Sequence, residues 1–123
     1  MDSDIPAPAA PSARVSIHDR YADTAYVVLC WDVPDSAAAR AAHTPAHLAY
    51  VESILDEINV AGPLWDGSGT RVVGSFWSLR TKSEQRAREI LAGDPYVKGG
   101  CYARVEVLPF LPAAGRWIGG KVW

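Results

Sequence analysis

His47 stands in the run Thr44-Pro45-Ala46-His47-Leu48. Thr44 has the side chain of a helix N-cap, and Pro45 suits the first helical position. This spacing predicts that His47 is the third residue of a helix. Backbone N–H groups are unsatisfied in that turn and the helix dipole is positive there. Such a site disfavours imidazolium and favours the neutral ring, which is a general base near pH 7. The plainer alternative is a histidine that only packs. Asp94 is the second candidate. It follows Gly93 and precedes Pro95, a setting that suits a turn. The same carboxylate can instead orient a histidine base.

Other polar residues offer less. His43 lies four residues before His47, the spacing of a metal pair on a helix. Pro45 and the expected cap between them argue against one continuous helix, and no nearby Glu or Cys completes a ligand set. Neither a metal nor a cofactor is expected. Cys30 and Cys101 sit among apolar residues and read as buried, inert thiols. Gly67 to Gly69 lacks the Lys and helix of a phosphate-binding loop. Ser53, Ser75 and Ser78 have no nucleophile-elbow pattern around them.

These residues need a scaffold. The chain has 123 residues, 49% of them hydrophobic and 21% charged, which suits one soluble globular domain. Twelve Lys and Arg against fourteen Asp and Glu argue against a nucleic-acid binder. No apolar run approaches the roughly 18 residues that span a bilayer. The N-terminus lacks the basic and apolar regions of a signal peptide, so a cytoplasmic protein is expected. Residues 1–23 carry Pro6, Pro8 and Pro11 among Ala and Ser and read as a disordered tail, although Val15, Ile17 and Tyr21 have side chains that can dock. Residues 24–112 form the expected domain, and residues 113–123 a Trp-bearing extension.

Ala25 to Asp32 is β-branched and aromatic at nearly every position, as in a strand covered on both faces. Ser36 to Ala42 suits a short helical turn. Leu48, Val51, Leu55 and Ile58 then repeat at helical steps, predicting a helix that ends near Asn59. Ala61-Gly62-Pro63 breaks that helix or opens a short strand through Trp65, and Asp66 to Gly69 is a turn. Arg71 to Leu79 reads as a strand, Thr81-Lys82-Ser83-Glu84 as a capping box, and Ala87, Ile90 and Leu91 as a helical stripe ending at Gly93. Tyr102 to Leu108 alternates as a half-buried strand. The order βαββαβ is that of an α+β, ferredoxin-like fold, an antiparallel sheet with both helices on one face. Strands apolar on both faces, and five Trp with five Tyr, call for a second covered face; a symmetric homodimer supplies one.

Thr44-Pro45-Ala46-His47-Leu48, Ala61-Gly62-Pro63, Asp94-Pro95-Tyr96 and Val105-Glu106-Val107-Leu108-Pro109-Phe110 follow one another at spacings that resemble the YciI-like (YCII-related) family. The resemblance covers roughly Ala25 to Phe110. It implies a dimeric α+β barrel, with a small pocket between sheet and helices lined by a histidine and an aspartate, here His47 and Asp94. Relatives often carry an Arg three residues before the histidine, where this chain has Thr44; Arg40 or Arg71 can take its place. The expected function is a cofactor-independent lyase or isomerase that uses the His–Asp pair for proton transfer on a small cyclic or aromatic metabolite. Tyr96, Trp31, Trp77, Arg71 and Thr44 are the expected substrate contacts. A cofactor-free oxygenase of an aromatic substrate and a non-catalytic metabolite-binding dimer are the alternatives.

Overall fold

The computed structural model describes residues 25–121. The expected tail, with the docking of Val15, Ile17 and Tyr21, and the terminal Val122 and Trp123 lie outside the described residues.

Strand β1 (Ala25–Asp32) forms over the apolar run that predicts it. Its side chains alternate: Tyr26, Val28 and Cys30 are buried in the core, and Val27, Leu29 and Trp31 point the other way. The next helix differs from expectation. Helix α1 (Ala37–Ser53) is one continuous element of 17 residues with Pro45 inside it. Pro45 removes one backbone hydrogen bond, but the alanines on both sides are the best helix formers and carry the helix through. Thr44 therefore caps nothing; its hydroxyl donates to the Arg40 carbonyl at 2.6 Å. Ser36, at the real N-cap position, donates to Asp32 instead of accepting from the helix.

The inward face of α1 also differs. Leu48 and Leu55, expected inside, are 55% and 59% exposed. Leu55 belongs to a 3₁₀ turn (Leu55–Glu57), and Ile58 opens strand β2 (Ile58–Trp65), longer than the expected short strand. Val51 of α1, with Ile54 at its C-terminal cap, packs against the apolar core. The rest of the inward face is polar: Arg40, His43, Thr44, His47 and Tyr50. Two glycines let it approach closely. A Cβ at Gly93 would meet the Tyr50 hydroxyl, and one at Gly99 would meet the His43 ring.

Strand β3 (Val72–Leu79) sends Trp77 and Leu79 into the core. Helix α2 (Glu84–Gly93) adds Ala87, Ile90 and Leu91. Its cap is Ser83, which accepts from the Arg86 N–H at 3.1 Å, two residues later than the capping-box reading places it. Asp94 then leads into a single helical turn, α3 (Pro95–Lys98), and strand β4 (Tyr102–Phe110) follows. Strands β5 (Ala114–Gly115) and β6 (Gly120–Lys121) pair as a small hairpin around Trp117, which is 76% exposed.

The main sheet has the order β2-β3-β1-β4, antiparallel throughout. With the helices on one face, this is the α+β ferredoxin-like fold that the element order predicts. Register places Val27 opposite Leu108, and Leu29 opposite Phe76, on the face away from the helices.

Gly74 of β3 lies opposite Trp31. A Cβ there would collide with the Cys30 carbonyl oxygen, which is backbone and cannot swing aside, and would touch the Trp31 ring at 3.4 Å. Gly74→Ala is expected to cost about 1–3 kcal/mol of stability by overpacking. Gly67→Ala, with nothing near its Cβ, should stay within about 0.5 kcal/mol of the parent. Chemical denaturation of the two variants checks the contrast.

Candidate active site

Helix α1 and the turn before α3 bring His47 and Asp94 together. Nδ1 of His47 lies 2.6 Å from Oδ1 of Asp94, whose side chain is fully buried. The same oxygen accepts the Tyr96 backbone N–H at 3.0 Å. Asp94 is thus both the cap of α3 and the partner of the histidine. An accepting oxygen needs a donor facing it, so Nδ1 carries the ring proton. Nε2 is then the lone-pair nitrogen, and it has no protein partner among the described residues. His47 lies mid-helix, outside the reach of the dipole at the N-terminus. The carboxylate, not the helix end, sets its tautomer.

Tyr96 fixes the ring from a second side. Its ring stacks on the imidazole with centroids 3.9 Å apart and planes 18° from parallel. Thr44 has spent its only proton on the Arg40 carbonyl, so the Tyr96 hydroxyl donates to Thr44 Oγ1 at 2.8 Å. Trp77 meets the imidazole edge-on at 6.1 Å. Orientation of His47 therefore rests on a carboxylate, a stacked ring and an edge contact.

His47, Trp77 and Tyr96 line one cavity of about 290 Å³, with Leu48, Val51 and Pro63 supplying an apolar side. That size is at the low end for ligand sites and suits a single substituted ring. Thr44 and Asp94 stand behind Tyr96 and His47 as their supports. Two expected contacts lie elsewhere. Alternation along β1 turns Trp31 to the face away from the helices, where its indole N–H donates to Glu106 at 3.2 Å. Arg71 is exposed in the β2–β3 turn, 3.7 Å from Asp66. Arg40, the other arginine that can stand in for the relatives' arginine, does line the cavity. His43 packs against Gly99 and does not join His47.

Sequence reasoning missed the polar cluster behind the cavity. Arg40 donates to both carboxylate oxygens of Asp32, at 2.7 and 2.9 Å, and to Ser75 Oγ at 2.9 Å. Ser75 is 2.7 Å from the Tyr102 hydroxyl. Asp32-x-x-x-Ser36-x-x-x-Arg40 is the available signal, a four-residue rhythm that becomes visible only once the helix is known to start at Ala37. Burial is the largest influence on the Arg40 pKa and lowers it, but the hydrogen bonds to Asp32 together with the electrostatic pull of Tyr102, Asp32 and Tyr96 raise it above the ordinary value. Burial pushes Tyr102 up, and its bond to Ser75 opposes the shift. Burial pushes the Cys30 thiol up to about 12, with Asp94 adding to the effect.

The YCII-related domain matches residues 24–111 of this chain. The protein YciI of Escherichia coli O6:H1 is 34% identical over 92 residues, a match covering 69% of this chain and 94% of that protein. An uncharacterised protein of Haemophilus influenzae is 33% identical over 97 residues, with the same coverage. Among solved structures, 5-chloro-2-hydroxyhydroquinone dehydrochlorinase (TftG) from Burkholderia phenoliruptrix AC1100, in complex with 2,5-dihydroxybenzoquinone, superposes with a TM-score of 0.66 and 29% identity. That match covers 75% of this chain and 96% of the neighbour.

The raised Cys30 thiol adds stability that is complete below about pH 9 and is lost as pH rises toward about 12. In the folded protein at pH 8, Cys30 should resist iodoacetamide, and it should react once guanidinium unfolds the chain. Peptide mass spectrometry reads both states; rapid labelling of Cys30 in the native protein would contradict its burial.

Proposed function

The chain belongs to the YCII-related domain family, and on that footing we propose that it is a cofactor-independent enzyme of lyase or isomerase type acting on a small cyclic or aromatic metabolite. One observation carries the reading. The Nδ1 nitrogen of His47 is tied to buried Asp94, which leaves Nε2 as the proton acceptor beside the cavity. His47 is the proposed base. Nε2 takes a proton from the substrate, and Asp94 stabilises the imidazolium that forms. In a lyase cycle the electron pair left behind expels a leaving group; in an isomerase cycle the proton returns at another carbon. Tyr96 and Trp77 keep the ring aimed and line the site with aromatic surface. The dehydrochlorinase with a related fold gives an example of lyase chemistry on a chlorinated aromatic.

The proposed assembly is a homodimer formed sheet to sheet, as in an α+β barrel. Leu108 and Phe110, 50% and 42% exposed, sit on the sheet face away from the helices beside Val27 and Leu29. A second copy would remove that apolar surface from water. The two free thiols suit a reducing compartment such as the cytoplasm.

Two measurements test this. With chlorinated hydroquinones and unsaturated lactones as a substrate panel, His47→Gln should lose about 10²–10⁴-fold in turnover while the circular dichroism spectrum is kept. Full activity in that variant overturns the base assignment. Binding without product would point to a metabolite-binding protein, and oxygen uptake to an oxygenase. Light scattering should show a dimer, and Leu108→Arg should shift it toward monomer; a monomeric parent overturns the sheet-to-sheet assembly.

A further inference from the structure

Among the described residues that line the cavity, Arg40 is the one charged side chain besides the titratable His47. Its side chain is 12% exposed and that of Asp32 is 4% exposed. Nε and Nη2 are committed: both donate to Asp32, and Nη2 also reaches the Gly74 carbonyl at 3.0 Å and Ser75. Nη1 has no hydrogen-bond partner among the described residues. It is not a sealed orphan either, since among the described residues the only buried side-chain polar atom without a partner is Asp94 Oδ2. A guanidinium gripped on one edge by a carboxylate and open on the other presents two N–H donors in a fixed plane.

Arg40 and His47 are seven residues apart on one helix face, about 10 Å along the axis. Both lean on Tyr96. The imidazole stacks on its ring, and the Arg40 guanidinium carbon lies 4.8 Å from the ring centroid. The charges are also matched in pairs. Asp32 answers Arg40, and Asp94 answers His47 when the imidazole takes up a proton. A substrate that yields a proton to Nε2 leaves one negative charge in the cavity without a protein partner of its own.

We propose that Arg40 is the oxyanion donor of this site, holding through Nη1 the substrate oxygen on which that charge collects. This rests on the proton-transfer reading above and adds to it the class of substrate: a ring carbonyl or phenol with an acidic hydrogen near its oxygen. In the step, the C–H bond beside a carbonyl breaks and its proton goes to Nε2. The electron pair forms a C=C bond as the C=O bond becomes C–O⁻, and Arg40 donates to that enolate oxygen. No further reactant is required. Donors already in place when the charge appears lower the barrier without reorganisation. Arg40 is thus a second catalytic residue, and Asp32, Ser36 and Ser75 are its positioning residues.

A pair of probes tests the assignment. 2,5-Dihydroxybenzoquinone ionises at neutral pH and offers the delocalised oxyanion; 2,5-dimethoxybenzoquinone has the same ring and cannot ionise. Titration of each into the full-length protein should show the ionised probe binding tighter by about tenfold or more. Arg40→Met should abolish that preference and keep the affinity for the dimethoxy probe. Because Arg40→Met leaves Asp32 without its partner, the double variant Asp32→Asn/Arg40→Gln serves as a second measure and should also lose the preference. His47→Gln should lose turnover yet keep the preference. An unchanged preference in both Arg40 variants overturns the assignment and leaves the His47 reading standing. Equal loss of both probes in those variants overturns it in favour of a structural role. If neither probe binds the parent protein, the pocket reading fails and this assignment fails with it.

Discussion

A carboxylate with no solvent exposure must be answered from inside the fold, and the way Asp94 is answered organises the site. Oδ1 receives the Tyr96 N–H and the His47 ring, so one atom joins the turn before α3 to the middle of α1. Helix α1 has no fully buried residue, which is unusual for the larger of two helices covering a sheet. It is held largely by polar contacts: Arg40 to Asp32, Thr44 to Tyr96, His47 to Asp94, and the Tyr50 hydroxyl to the Ile90 carbonyl at 2.6 Å. Each such bond is worth about 1 kcal/mol net, more where a charge takes part. The price of breaking one is larger, because the remaining partner is left buried and unsatisfied. The side chains that form the site are also the ones that dock the helix.

Much of the fold is legible in the sequence because the sheet follows simple rules. β1 occupies the residues its apolar run marks, and the element order alone leads to the ferredoxin-like topology. Helix α1 is harder. Pro45 after Thr44 has the pattern of a helix start, and only the surrounding alanines and the polar contacts beyond them decide that the helix runs through. Of the apolar repeat, Val51 packs on the core while Leu48 and Leu55 stay more than half exposed. The rest of the inward face is polar, and periodicity of hydrophobic residues cannot reveal it.

The site shows the same division. Residue type and local setting make His47 and Asp94 candidates and the family resemblance pairs them, although the helix-end argument for His47 does not survive. For Asp94 the sequence offers a turn former and a histidine partner as alternatives; in the structure one oxygen does both. Trp31 and Arg71 show where side-chain type misleads. An aromatic ring one residue along a strand faces the opposite side, and an arginine in a turn reaches only its own Asp66. The Asp32–Arg40 cluster depends on a contact between a strand end and the helix after it, which residue types alone do not announce.

Gly74 joins the two sides of the sheet in a way that limits how the protein can be re-engineered. Its carbonyl accepts from Arg40, and the Trp31 ring lies over the place where its side chain would be. A designer who enlarges position 74 to fill the outer surface moves the strand that anchors the guanidinium. One who reshapes the cavity through β3 moves the floor beneath Trp31. The two surfaces therefore share a single adjustable part, and mutations selected for one will be screened by the other.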